Sequence, residues 1–237
     1  MKENFNTKIN DYKEGLIKGI PIGLGYLTVS ITFGMIAVRG GLDVFTAVLI
    51  SMTNLTSAGQ FAGVELILND ALYTELALTT LIINIRYSLM SFAISQKLEK
   101  TSLIKRMIIA CGITDEIYTL ASIEKRKLNF SFMIGLITIP YIGWASGTLI
   151  GAISTRFMSP KLQDALGIAL YGMFIAIIIP AVRENKDIFK AVIISIIVSV
   201  ILFYTPILKE ISQGFAIIIS ASLGALIMAK LKPIKEE

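Results

Sequence analysis

The sequence contains no histidine and a single cysteine, Cys111, in 237 residues. Without histidine it lacks the commonest general base, the commonest proton shuttle and most zinc chemistry. A lone cysteine excludes a disulfide framework and any cysteine-based metal centre. Charge is scarce too. Asp, Glu, Lys and Arg make up 16% of the chain, against about 25% in ordinary soluble domains. There is no glycine-rich phosphate loop, so ATP hydrolysis by this chain is not expected. There is no G-x-S-x-G motif and no histidine to activate a serine or cysteine nucleophile. Neither enzyme activity nor a cofactor is expected.

What remains is apolar. Hydrophobic residues make up 54% of the chain, and the mean hydropathy is +0.74. The charges cluster between long uncharged runs, a pattern that excludes disorder, collagen and a coiled coil. A membrane span needs about 20 mostly apolar residues. Eight segments qualify as candidates: 19–38, 44–64, 76–96, 107–123, 130–155, 165–182, 191–208 and 212–229. Residues 1–14 are polar and offer no signal-peptide core, so the first segment is expected to remain as a span. Connections are short and no linker divides the chain. The expected fold class is an all-α integral membrane protein, a polytopic helical bundle forming one domain over residues 1–237. Residues 1–14 and 230–237 are its expected cytoplasmic tails. The eight segments give about six to eight spans, some broken or re-entrant.

The net charge of +5 fits a topology code written in Lys and Arg, and no nucleic-acid partner is expected. If every segment crosses, the cluster Lys97, Lys100, Lys105 and Arg106 falls outside while Lys125, Arg126 and Lys127 fall inside. If the second and fourth segments re-enter, both clusters fall inside. The second arrangement obeys the positive-inside rule better, with both termini cytoplasmic. Glycines recur every four residues at Gly15, Gly19 and Gly23, and again at Gly143, Gly147 and Gly151 with Gly135 in register. Ridges of this kind let helices approach closely. Their repetition suggests two related halves.

The polar residues inside these segments are costly to bury and so point to a site. Arg86 interrupts the third segment, where a mid-span arginine must be paired or face water. Thr80, Asn84, Ser88, Ser91 and Ser95 lie on the opposite side of the same helix. Either that helix has two polar faces or it breaks near Asn84-Ile85-Arg86. Thr114-Asp115-Glu116 interrupts the fourth segment, and adjacent carboxylates there need partners, with Arg86 the candidate. On an unbroken helix Cys111, Asp115, Thr119 and Ser122 share one face. The second segment carries Thr53, Asn54, Thr56, Ser57, Gly59 and Gln60; Thr53, Thr56, Ser57 and Gln60 are expected on one side of a helix, with Asn54 at its edge. An interruption there would free backbone amides for a carboxylate and carbonyls for a cation. Two plainer alternatives stay open: a buried Arg–carboxylate clamp, and ordinary hydrogen bonding between helices. Trp144 and Tyr141 read as packing or interfacial aromatics.

Taken in order, these motifs resemble the AzlC family. The resemblance rests on Ser57-Ala58-Gly59-Gln60-Phe61-Ala62, Asn84-Ile85-Arg86-Tyr87 with Met90-Ser91, and Thr114-Asp115-Glu116. It continues through Trp144-Ala145-Ser146-Gly147-Thr148-Leu149-Ile150-Gly151 and Met173-Phe174-Ile175-Ala176. The match covers about residues 15–185. The family often has an Ala/Gly-rich stretch where Thr56 and Ser57 stand, histidine where Tyr87 stands, and an aromatic–acid pair where Ala169 and Leu170 stand. The resemblance implies the large subunit of a branched-chain amino-acid exporter in the bacterial cytoplasmic membrane. It also implies a small hydrophobic AzlD-type partner and export driven by an ion gradient. The expected substrate and coupling residues are Asn54, Ser57, Gln60, Asn84, Arg86, Thr114, Asp115 and Glu116. The competing expectations are an assembly subunit of a transport complex and a passive channel for small solutes.

Overall fold

A computed structural model describes residues 2–155, 157–159, 161–162, 168, 172, 175, 178–179, 182–183, 185–205 and 211–232, with side chains from residue 7 onward except that of 213. Most of the sixth segment lies outside the described residues, including Ala169, Leu170, Met173, Phe174 and Ala176. So do the end of the seventh segment and the last part of the C-terminal tail.

Among the described residues the chain forms nine helices and no strand. They are α1 (Lys2–Arg39), α2 (Val44–Thr53), α3 (Ala58–Leu68), α4 (Tyr73–Lys97), α5 (Leu103–Cys111), α6 (Asp115–Ile123), α7 (Phe130–Ser154), α8 (Lys186–Tyr204) and α9 (Gln213–Leu231). Among the described residues five stretches are long and apolar enough to cross a bilayer: Thr7–Arg39, Tyr73–Lys97, Phe130–Ser154, Lys186–Tyr204 and Gly214–Leu231. The chain is an all-α membrane protein, as expected. The first helix starts well before residue 19, so residues 2–14 belong to α1. Two compact units are distinguished. One comprises Met1–Gln60 with Asn84–Gly167, the other Phe61–Ile83 with Ile168–Glu237.

The first unit is built on α1 and α7, whose glycine ridges face each other. Gly15 lies on Phe132 and Leu136, Gly19 on Leu136 and Pro140, and Gly23 on Ile139. From the other side Gly135 meets Tyr12, Gly143 meets Gly23, Gly147 meets Leu27 and Ser30, and Gly151 meets Ile31. The contact positions climb together along both helices, so α1 and α7 run parallel. An ionic latch closes their starting end. Arg126 pairs with Asp11 and Glu14, each at 2.7 Å. Lys18 pairs with Glu14 and Glu124. Asn129 donates to Asp11 at 2.6 Å and caps α7 by accepting from the Phe132 amide at 2.9 Å.

The fourth segment leaves and returns at that same end. The Glu99 amide donates to the Leu128 carbonyl at 2.8 Å, and the Leu128 amide to the Lys97 carbonyl at 3.0 Å. Lys97 also donates to the last carbonyls of α6, at Ala121 and Ser122. The end of α4, the end of α6 and the start of α7 therefore lie together, and α5–α6 is a re-entrant hairpin. At the other end of α1 a short turn leads to α2, capped by Asp43. The Thr46 hydroxyl and amide bind the Asp43 carboxylate and hold it below the usual carboxylate range. The chain then turns back at Asn54–Ser57, because Gln60 donates to Ser51 at 2.6 Å. Nine residues of unbroken helix would separate those side chains by about 13 Å.

In the second unit α8 and α9 pack closely, with Gly224 against Ser195 and Ala191. The Glu75 carboxylate accepts from the Gly214 amide at the start of α9 at 2.9 Å.

The glycine seam makes a direct prediction. Gly147→Leu should force the backbones apart and cost about 1–3 kcal/mol. Gly25→Leu, where nothing lies within 4 Å of an added Cβ, should leave stability unchanged. Thermal unfolding in detergent checks both.

Candidate functional site

Each hairpin is made of half-helices. Those of α2 and α3 have 10 and 11 residues, and those of α5 and α6 have 9 each. At about 1.5 Å per residue they reach about half the thickness of a bilayer core. The breaks at Asn54–Ser57 and Gly112–Thr114 are thus positioned at the hairpin tips. Thr114 caps α6, accepting from the Ile117 amide at 3.4 Å. Asp115 and Glu116 occupy the first turn, where the positive end of the helix dipole favours carboxylates.

Arg86 on α4 pairs with Asp115 at 2.9 Å, both side chains being half-exposed. The Arg86 guanidinium also donates to the Tyr87 hydroxyl at 3.3 Å, which donates to the Thr56 carbonyl at 3.2 Å. One polar chain thus runs from the α5–α6 tip to the α2–α3 tip. Glu116 takes a different partner. The Tyr26 hydroxyl on α1 lies 2.5 Å from its carboxylate and 2.7 Å from the Thr114 hydroxyl. With one proton, the phenol donates to the carboxylate and accepts from the threonine. Tyr26 also meets Trp144 edge to face, at 5.3 Å between ring centroids. The buried Trp144 indole donates to Gln60 at 2.8 Å, Gln60 donates to Ser51, and Ser51 bonds Thr148 at 2.7 Å.

The expected site residues therefore separate into groups. Arg86, Thr114, Asp115 and Glu116 come together. The Gln60 amide is committed to a buried structural network. Asn54 is the C-cap of α2 and accepts from the Thr56 hydroxyl at 2.8 Å. Ser57 sits at φ 44°, a left-handed conformation that favours glycine. Asn84 packs on Gly59, its Oδ1 buried without a partner. Among the described residues no group of three or more His, Cys, Asp or Glu is placed to hold a metal ion.

Three expectations are corrected. Helix α4 is continuous, so of the two alternatives the helix with two polar faces stands. Neither Gly nor Pro interrupts it, and Arg86 finds its partner without a break. Cys111 does not share a helix with Asp115, because Gly112 caps α5 between them. Thr53 and Gln60 do not share a helical face, since α2 ends at Thr53, whose hydroxyl folds back to the Leu49 carbonyl. Tyr26 and Ser51 were absent from the expected site. A lone tyrosine in a segment otherwise poor in aromatics was the available signal for the first.

The family resemblance of the motifs agrees with comparison to known proteins. The model of the AzlC protein family matches residues 21–158, more than half of the chain. The chain belongs to the AzlC family. Across 92% of its length it is 27% identical to the inner membrane protein YgaZ of Escherichia coli K12, covering 91% of that protein. It is 29% identical over 178 residues to an uncharacterized membrane protein of Archaeoglobus fulgidus, covering 73% of this chain and 76% of that one. A Helicobacter pylori J99 membrane protein is 25% identical over 181 residues, covering 74% and 78%. No solved structure matches. AzlC membership and these relatives support a role related to membrane transport, and AzlC is a transport family rather than an enzyme family.

Two substitutions probe the scaffold of this AzlC site. Trp144→Phe should leave the buried Gln60 oxygen unpaired and cost about 1–3 kcal/mol. Ser57→Gly should relieve the left-handed strain and stabilise by about 0.5–1 kcal/mol, net of glycine's extra freedom when unfolded. Thermal unfolding of purified protein distinguishes the opposite signs.

Proposed function

We propose that this AzlC protein exports neutral, branched-chain amino acids by secondary transport coupled to protons. The observation that carries the reading is the half-exposed Arg86–Asp115 pair, which ties the α5–α6 tip to α4 and, through Tyr87, to the Thr56 carbonyl. A zwitterion needs one cation, one anion and an apolar pocket. The substrate carboxylate takes Arg86 or amides freed at the breaks, and its ammonium takes Asp115 or Glu116. The ion pair opens as the substrate enters, so each charge exchanges one partner for another instead of standing alone in a low dielectric. The site holds one cation and two carboxylates, which leaves one carboxylate, Asp115 or Glu116, to carry the coupling proton. A change of charge there favours one conformation over the other. Asn54, Ser57 and Asn84 belong to the α2–α3 side of the pocket. A small hydrophobic AzlD-type subunit is the proposed partner, and the cytoplasmic membrane, with both termini inside, the proposed location.

In proteoliposomes, counterflow of labelled leucine should fall at least ten-fold in Asp115→Asn and in Arg86→Ala, while both variants still reach the membrane. Full activity in both would remove this site assignment. Transport seen only with the small subunit present favours an assembly role for this chain. Strictly downhill uptake that ignores a pH gradient favours a channel.

A further inference from the structure

The second unit holds a buried carboxylate that the export mechanism does not use. Glu75, in the first turn of α4, is 4% exposed. Its Oε1 accepts from the Gly214 amide, the second amide of α9. A capping serine normally takes that amide or the next. Ser212 holds the capping position, but its hydroxyl makes no cap bond, and its Oγ is buried without a partner. Thr79, one turn beyond Glu75, is fully buried, and its Oγ1 also has no partner. Glu75 Oε1 and Thr79 Oγ1 each lie 2.6 Å from the point where a Cβ on Gly214 would stand. A side chain at 214 would press on both oxygens. Carboxylate and hydroxyl oxygens thus converge on the start of α9, and both hydroxyls, of Thr79 and Ser212, are buried and unsatisfied.

Among the described residues no Lys or Arg pairs with Glu75, and its counter-charge is the partial positive end of α9. Besides Glu75, the described part of this unit carries Glu65 on α3, Asp70 in the turn before α4, Arg183 before α8, Lys186, Asp187 and Lys190 on α8, Lys230 on α9 and Lys232 just after it. None of these pairs with Glu75, and Lys190 pairs with Asp187. A carboxylate shielded from water with only a partial counter-charge is costly in a membrane protein. The donors are all hard oxygens, which suit a hard cation. One carboxylate balances one positive charge, so a monovalent ion leaves the site neutral whereas a divalent ion does not.

We propose that Glu75, Thr79 and Ser212 form a binding site for an alkali-metal cation at the start of α9. The site stands independently of the export reading. The test uses the purified full-length chain in detergent, with thermal unfolding followed at fixed pH and ionic strength while choline chloride is replaced by NaCl, KCl or LiCl. An ion that binds only the folded state raises the unfolding midpoint. The expected result is a saturable rise of about 3 °C or more with at least one alkali cation. Glu75→Gln and Gly214→Ala should lose it, Thr79→Val should weaken it, and Asp115→Asn should keep it. Thr79→Val is close to isosteric and keeps the test decisive if a bulkier change prevents folding. Equal midpoints in choline and all three alkali salts overturn the proposal. So does a cation response that survives in Glu75→Gln, or a midpoint that follows pH and ignores the cation, which would mark a proton site instead.

Discussion

The parallel contact between α1 and α7 is the constraint on which the first unit depends. Lipid supplies little hydrophobic drive between helices, so association rests on close packing and hydrogen bonds. Glycines on both helices remove the side chains that would keep the backbones apart, and each ridge lies on backbone of the other helix. Parallel helices have their starting ends together, so the chain between them must come back. The bonds of Lys97 and Glu99 to Leu128 show it doing so. With α4 as the returning helix, the fourth segment has no net crossing to make and folds into a hairpin. The latch of Asp11, Glu14, Lys18, Glu124 and Arg126 fixes the common end.

From that arrangement follows the placement of the charges. Interrupted backbone at membrane depth is tolerated where it is covered by protein or lines a cavity. Here the α5–α6 tip is covered by its own cap, by Tyr26 from the seam and by Arg86 from α4. Asp115 and Glu116 are sequence neighbours, but successive helical side chains point about 100° apart. One therefore faces the half-exposed arginine, and the other faces a tyrosine anchored on the seam through Trp144. Asp115 is available for exchange, while Glu116 is tied to the scaffold.

Several features were legible in the sequence for plain reasons. Low charge and long apolar runs imply a membrane bundle because each buried charge is expensive. Glycines at fourfold spacing mark a close contact because they fall on one helix face. The Lys and Arg distribution already favoured re-entry of the second and fourth segments, and the bonds at the latch end agree for the fourth. Arg86 and Asp115 were legible as partners because each is costly alone. The positions of the breaks were less so. Hydropathy averages across Gly112–Thr114 as though the helix continued, although the Thr-Asp-Glu cap signal was present. The commitment of Gln60 to Ser51 and Trp144 was invisible, because those bonds join residues 9 and 84 positions apart.

The sequence by itself determined that the chain lives in the bilayer, which faces pack, and which few charges demand explanation. Those properties follow from the cost of transferring each residue and from local periodicity. Only the tertiary structure decided that α4 stays unbroken, that Asp115 and Glu116 part company, and that Tyr26 joins them. It also brought Glu75 under the start of α9, 139 residues away. Such pairings depend on which helices become neighbours, and close backbone contact across more than a hundred residues sets that choice.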